Sequence, residues 1–336
     1  MINIGLIGYG YWGPNLARNF AETEGVHLAA IADTSADRRD AAARRHRGVP
    51  VCGDAASVIA RDDLDAIVIA TPLETHFPLA KAAVERGKHV LVEKPLAGSR
   101  TEAEALGALA DKRDVRLMVD HTFVYNGAVR RIRALIDSGD LGELLYLDSV
   151  RVNLGLFQQD SNVIWDLAAH DFSIMDYLID ARPVAVSADG TAAAGFNQES
   201  VAYVTVHFDN GFLAHFHVSW LAPVKMRQML LGGQQRMLVY DDTNPSEKVR
   251  VYDNGVDFDV KDDETRRQIL ISYRTGDMHA PKLDRREALS LVAREFADSI
   301  EQRRAPLTDA AAGARVVALL EAAEVSLRAQ GQRIRL

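Results

Sequence analysis

Cysteine is nearly absent: Cys52 is the only one in 336 residues, so a single chain can build neither a disulfide nor a thiolate metal centre. No metal is expected. Long apolar runs are missing as well, which leaves no segment able to span a membrane as a helix. The N-terminus opens on a strand pattern instead of a charged segment with an apolar signal core, so a cytoplasmic protein without a membrane partner is expected. Positive charge is not in excess either, and the net charge of -8 gives no basic footprint for nucleic acid. Lysine is sparse, 8 against 31 arginines, so each lysine at a motif carries more weight. Repeats and low-complexity tracts do not occur. What the chain does have is length and apolar content, 336 residues at 48% hydrophobic, enough for about two domains with cores.

The stretch Met1–Asp33 reads as strand, glycine turn, helix and second strand. Ile2, Ile4, Leu6 and Ile7 form a short apolar run leading into Gly8-Tyr9-Gly10-Tyr11-Trp12-Gly13, the G-x-G-x-x-G spacing. Gly8 permits a tight turn, Gly10 lets backbone approach a pyrophosphate, and Gly13 lets the next helix pack on the strand. Tyr11 and Trp12 lie between these glycines, beside the expected phosphates. Pro14 suits the first helical turn. Leu28 to Ala32 then ends at Asp33, 20 residues past Gly13, the spacing at which a carboxylate takes ribose hydroxyls and repels the extra phosphate of NADP. The pattern therefore predicts NAD as cofactor, with Thr34 beside the acid. Arg38 fits either an adenine or ribose contact or a solvated helix face.

Further strand ends follow. Leu64 to Ala70 stops at Thr71-Pro72, with His76 opening the next helix; His89 to Val92 stops at Glu93-Lys94-Pro95; Val115 to Val119 stops at Asp120-His121. Residues at such ends face the ligand crevice of this fold class, although Glu93 and Lys94 also fit a surface ion pair. The domain boundary is expected near residue 121. Beyond it, Leu144 to Val152 is a strand containing Arg151, and the polar stretch Asn153 to Asn162, including Gln158, suits sugar hydroxyls or an ordinary solvated loop. Ile164 to Ile179 reads as a helix on which Asp166 and His170, four apart, share a face. From Val184 onward strands dominate, with hairpin turns at Asn210-Gly211 and Asn254-Gly255. In the first hairpin Val204, Val206, Phe208, Leu213, His215 and His217 are assigned to one face and Tyr203, Phe212, Ala214, Phe216, Val218 and Trp220 to the other. Neither face so drawn is polar, which predicts a homo-oligomer, dimer or tetramer, covering one of them. Two helices, Arg285 to Gln302 and Asp309 to Gln330, close the chain, the second capped by Thr308 or Asp309.

With Gly8 to Gly13, Glu93-Lys94-Pro95 and Asp166 to His170 assembled, the chain resembles the glucose–fructose oxidoreductase, inositol dehydrogenase and rhizopine-catabolism (Gfo/Idh/MocA) family. GYGYWGPN, HTFVYN, NLGLF and WDLAAHD are similar to its nucleotide-sugar and aminosugar branch. The resemblance implies an α/β Rossmann domain over 1–121, followed by an α+β domain over 122–336 whose large, mostly antiparallel sheet carries substrate contacts and oligomerisation. It implies Lys94, Asp166 and His170 as catalytic residues around the reacting carbinol. Candidate substrate contacts are His121, Tyr125, Asn126, Arg151, Asn153, Gln158, Asn162 and Trp165, and candidate cofactor contacts extend to Thr71, Pro72, His76 and Glu93. The D-x-G-x-H motif of the family has Ala168 where glycine is common, but the Asp166 to His170 spacing survives. HTFVYN lacks the arginine many members carry.

The expected reaction is hydride transfer between a sugar secondary alcohol, C3 of a nucleotide-activated sugar, and NAD. His170, with a neutral-range pKa and Asp166 to orient it, is one candidate base, with Lys94 polarising the oxygen; Lys94 with a burial-lowered pKa is the other. A free or glycosidically linked aminosugar is the alternative substrate, and a catalytically silent NAD-binding regulator the alternative from another class.

Overall fold

The computed structural model describes residues 1–155, 161–193, 195–257, 272–274 and 276–336. Contacts group the chain into two compact units, 1–126 with 285–321 and 127–284 with 322–336. Residues 285–321, expected with the second domain, thus fold with the first unit.

In the first unit, six short and almost wholly buried apolar runs become strands: β1 (Ile2–Ile7), β2 (Val26–Ala32), β3 (Val51–Cys52), β4 (Ala66–Ile69), β5 (His89–Glu93) and β6 (Leu117–Asp120). They pair in parallel in the order β3-β2-β1-β4-β5-β6. Parallel strands need crossovers, which α1 (Gly13–Glu22), α2 (Ala36–Arg45), α3 (Ala55–Ile59), α4 (His76–Glu85) and α5 (Arg100–Arg113) supply. Strand order reverses between β1 and β4, so the carboxyl ends of these two strands flank the crevice where a doubly wound sheet binds its ligand. The predicted residues after β1, β4, β5 and β6 all belong to that edge. Two later helices, α8 (Ala288–Glu301) and α9 (Ala310–Arg328), follow the closing pattern of the sequence. Phe296 of α8 meets Phe20 of α1 edge to face at 6.1 Å, and Glu287, just before α8, accepts from Arg18 at 2.6 Å. Asp309 caps α9 by accepting from the Ala312 amide, while Thr308 donates to the Val119 carbonyl instead.

The second unit holds α6 (Gly127–Asp137), α7 (Ala169–Leu178) and a mostly antiparallel sheet of β7 (Leu144–Leu154), β8 (Pro183–Ala192), β9 (Glu199–Phe208), β10 (Leu213–Ser219), β11 (Leu221–Gly233), β12 (Met237–Asp241), β13 (Val249–Tyr252), β16 (Met278–His279) and β17 (Ile334–Arg335). β14 (Gly255–Asp257) pairs separately with β15 (Ser272–Arg274). Among the described residues, the one parallel contact in the large sheet joins β10 to β7.

Two expectations fail here. The Asn210-Gly211 turn sets Leu213 opposite His207 and Phe216 opposite Val204, so Val204 and Val206 share a face with Ala214, Phe216 and Val218. The predicted faces were offset by one residue, and a one-residue slip moves every side chain across the sheet. In the true register the first face is buried, and Tyr203, Thr205, His207, Leu213, His215 and His217 make the open one. The Tyr203 ring stacks on His217 at 4.5 Å, and His215 lies 3.7 Å from Asp148 of β7. Secondly, Asn254-Gly255 does not close a hairpin, because β13 pairs with β12 and β16 while β14 pairs with β15. The strand-rich pattern beyond Asn254-Gly255 runs on into residues 258–271, which lie outside the described residues.

Candidate active site

The glycine turn is shaped by close approach. Gly8 has φ +96°, and a Cβ there would meet the Ala70 carbonyl oxygen at 2.3 Å; a Cβ on Gly13 would strike the Gly8 carbonyl oxygen at 2.3 Å. At Gly10 the nearest atom to such a Cβ is the Arg38 guanidinium, 3.5 Å away, so the outer side of the turn is open. This cradle at the start of α1, whose first amides lack helical acceptors, fits a pyrophosphate. Tyr11 and Trp12 are exposed beside it, ring to ring at 5.4 Å.

Asp33 is buried, and its carboxylate accepts from the Tyr9 amide at 2.6 Å and the Ser35 amide at 2.8 Å. These bonds hold the acid at the end of β2 against the glycine turn, where a ribose would lie. Arg38 is 3.9 Å from it and largely exposed, so it borders the same edge while reaching solvent. The exposed Thr34 gives its carbonyl to Arg39, which also holds the Asp33 carbonyl. Arg39 had no sequence signal beyond its helix.

At the end of β4, Thr71 and Pro72 form a turn closed by Thr75, whose hydroxyl lies 2.6 Å from the Thr71 hydroxyl and 2.6 Å from the Pro72 carbonyl. The buried His76 imidazole spans from the Thr71 carbonyl, 2.8 Å, to the Pro95 carbonyl, 2.7 Å, and so ties this turn to the residue after Lys94. Burial pushes its pKa down against the pull of the two carbonyls.

Glu93 is buried and is no surface ion pair. It sits in register with Asp120 on the neighbouring strand, and Thr122 donates to Asp120 Oδ1 at 2.7 Å. Burial, reinforced by the Asp120 charge, raises the Glu93 pKa well above the usual carboxyl range, and burial raises Asp120 to about 6. Beside them the His121 ring is 1% exposed, and neither ring nitrogen has a hydrogen-bond partner among the described residues. Burial, with the Lys94 charge second, lowers its pKa to about 3, so it is a neutral imidazole. A buried imidazole with both nitrogens unused is suited to a polar ligand group.

In the second unit Asp166 and His170 flank a change of helix type. Ile164–Ala168 is a π turn and α7 begins at Ala169, where the sequence pattern predicted one continuous α-helix. π turns recur at functional sites because they re-aim side chains within a helix. The Trp220 indole donates to Asp166 Oδ2 at 2.9 Å, a contact no spacing in the sequence signals.

Four residues expected at substrate have other bonds. Arg151 of β7 grips Asp171 of α7 through two hydrogen bonds, 2.8 and 2.9 Å, with both side chains 4% exposed. The Trp165 indole donates to Glu324 at 2.9 Å. Asn162 is buried and accepts from the Ile164 and Trp165 amides, initiating the π turn. Tyr125 is also buried; because Thr308 spends its hydroxyl proton on Val119, the phenol is the donor in the 3.0 Å contact between Tyr125 and Thr308. Asn126 ends the short turn after β6 and Asn153 is half-buried on β7. Gln158 lies outside the described residues.

Residues 2–121 match the oxidoreductase family with an NAD-binding Rossmann fold, and residues 129–240 match the GFO/IDH/MocA C-terminal domain. UDP-N-acetylglucosamine 3-dehydrogenase of Acidithiobacillus ferrooxidans is 29% identical over 98% of both chains, and its solved structure aligns with a TM-score of 0.83. Inositol 2-dehydrogenase 2 of Saccharopolyspora erythraea is 30% identical over 65% of this chain and 66% of its own. The structure of GenD2 from gentamicin A biosynthesis, in complex with NAD, shares the fold at a TM-score of 0.83 and 23% identity over 100% of this chain and 96% of its own. The strand order, the glycine cradle with Asp33 and the match of both domains make one case: the chain belongs to the Gfo/Idh/MocA family of oxidoreductases, with NAD as cofactor.

Proposed function

We propose that the protein oxidises a secondary alcohol of a nucleotide-activated sugar, at C3, or reduces the corresponding ketone. The observation that carries this reading is the full-length similarity, over 98% of both chains, to a UDP-N-acetylglucosamine 3-dehydrogenase. NAD supplies the hydride acceptor. His170 takes the hydroxyl proton, Asp166 orients the imidazole, and Trp220 holds Asp166 through its indole N–H. Lys94 donates to the carbinol oxygen and stabilises the charge that develops there. His121, neutral and with unused ring nitrogens, hydrogen-bonds a polar group of the bound molecules. Gly8, Gly10 and Gly13 admit the pyrophosphate, and Asp33 takes the ribose hydroxyls.

The protein is cytoplasmic in this reading, and no helix among the described residues is long and apolar enough to cross a membrane. The open sheet face with Tyr203, Leu213, His215 and His217 pairs with a second copy to give a homodimer or homotetramer.

The deciding experiment follows nicotinamide absorbance with UDP-, dTDP- and GDP-sugars and with aminoglycosides. UDP-N-acetylglucosamine or its 6-carboxylate is expected to reduce NAD. Turnover of an aminoglycoside alone would move the substrate class, and turnover of none with NAD bound would indicate a regulator. Lys94→Ala and His170→Ala should each lower turnover by about a hundredfold or more, the usual worth of acid–base assistance, with NAD affinity little changed. Near-native turnover in both would remove these residues from the reaction.

A further inference from the structure

Glu93 and Asp120 end adjacent parallel strands in register, and both are buried. Asp120 Oδ1 is served by the Thr122 hydroxyl, whereas Asp120 Oδ2 is buried with no donor assigned among the described residues. The neighbour able to supply that donor is the Glu93 carboxyl, which also accepts the Lys94 amide at 3.3 Å through Oε2. Two ionised carboxylates side by side in a buried place repel strongly, and a proton added to the pair removes one of the two charges. One proton between them satisfies Oδ2 and leaves a single negative charge.

We propose that Glu93 and Asp120 share one proton and act together as positioning residues, presenting one negative charge to Lys94. The role rests on Lys94 acting at the substrate as stated under Proposed function. Burial and mutual repulsion hold the proton on Glu93, and Asp120, raised to about 6, is the ionised partner at neutral pH. The groups facing the pair are Lys94 on the same strand end, Thr122 and His121 beyond β6, and His76, which feels the Lys94 charge from α4. Burial lowers the pKa of both imidazoles, that of His121 to about 3, which leaves His121 neutral near pH 7.

Infrared spectra of the sugar-free protein at pH 8, where exposed carboxyls are ionised, test the pair by itself. Native protein should show a protonated-carboxyl stretch that Glu93→Gln abolishes. Asp120→Asn should weaken the same band, because Glu93 then loses the like charge that keeps it protonated. Identical carboxyl bands in the native protein and Glu93→Gln would overturn the proposal, whichever sugar is turned over. The positioning role is read from pH profiles of NAD reduction with UDP-N-acetylglucosamine. Native turnover should fall below about pH 6 as Asp120 protonates and the pair loses the charge it presents to Lys94. Glu93→Leu removes the donor to Asp120 and should move that limb up by about one pH unit, and Glu93→Gln, whose amide can donate, should bring it back. A limb at one position in all three proteins would sink the positioning role. A glutamate-dependent carboxyl band without any sugar turnover would instead leave the pair standing and remove the proposed substrate.

Discussion

Asp33 has two tasks in the proposed function. It accepts the Tyr9 and Ser35 amides, which fixes its place, and under that proposal it offers its charge and remaining lone pairs to the ribose. Asp33→Asn keeps an acceptor while removing the charge, so the ratio of NADP to NAD dissociation constants should shrink by about tenfold or more. Isothermal titration with both nucleotides measures this, and an unchanged ratio would remove Asp33 as the discriminator. Asp33, Lys94 and His170 are legible as sequence because each stands at a fixed step from a glycine turn, a strand end or another side chain. Trp220 is not, since its tie to Asp166 crosses 54 positions that only folding brings together.

Among elements, β7 and α7 are joined by the buried Arg151–Asp171 pair, which lies one residue from His170. Removing one member of a buried pair strands the other charge and typically costs about 3–5 kcal/mol. Arg151→Met should therefore lower the urea midpoint strongly, and Asp171→Leu in the same protein should recover most of the loss. If Arg151→Met instead left stability untouched and raised only KM, the arginine would be a substrate contact after all. The sequence marked Arg151 as polar in a strand, which a ligand contact and an internal ion pair satisfy equally well. The hairpin of β9 and β10 shows the same limit from another side. Its alternation was readable, but the register depends on where the turn closes, and one residue of error exchanged the buried and open faces.

For the whole molecule, the buried ionisable groups at the end of the parallel sheet make stability depend on pH from both directions. Asp120, raised to about 6, and Glu93, raised well above the usual carboxyl range, keep protons that the unfolded chain releases near pH 4, so their stabilisation is complete below that and is lost as pH rises. His121 is the opposite case: lowered to about 3, it stays neutral where the unfolded chain binds a proton, so stability falls as pH drops from about 6.5 towards 3. Urea titrations at pH 4, 6.5 and 8 should show Glu93→Gln reducing the loss between 6.5 and 8, and His121→Gln reducing the loss between 6.5 and 4. Parallel curves for native protein and variants would mean these groups titrate normally. Sedimentation addresses the open sheet face: a dimer or tetramer is expected, with Tyr203→Glu shifting it towards monomer, and a native monomer at micromolar concentration would refute the assembly.

Local rules were enough to determine the glycine cradle, the acid after β2, the strand ends bearing Thr71, Lys94 and His121, and the presence of a strand-rich second half. Each follows from spacing over a few residues, where backbone sterics and side-chain periodicity act directly. Tertiary structure alone decided that Glu93 faces Asp120, that Arg151 serves Asp171, that Tyr125 turns inward to Thr308 and that 285–321 returns to the first unit. These depend on which strands become neighbours and on what burial does to a charge. Both are set by the sum of long-range contacts, and no short stretch of the chain carries that information.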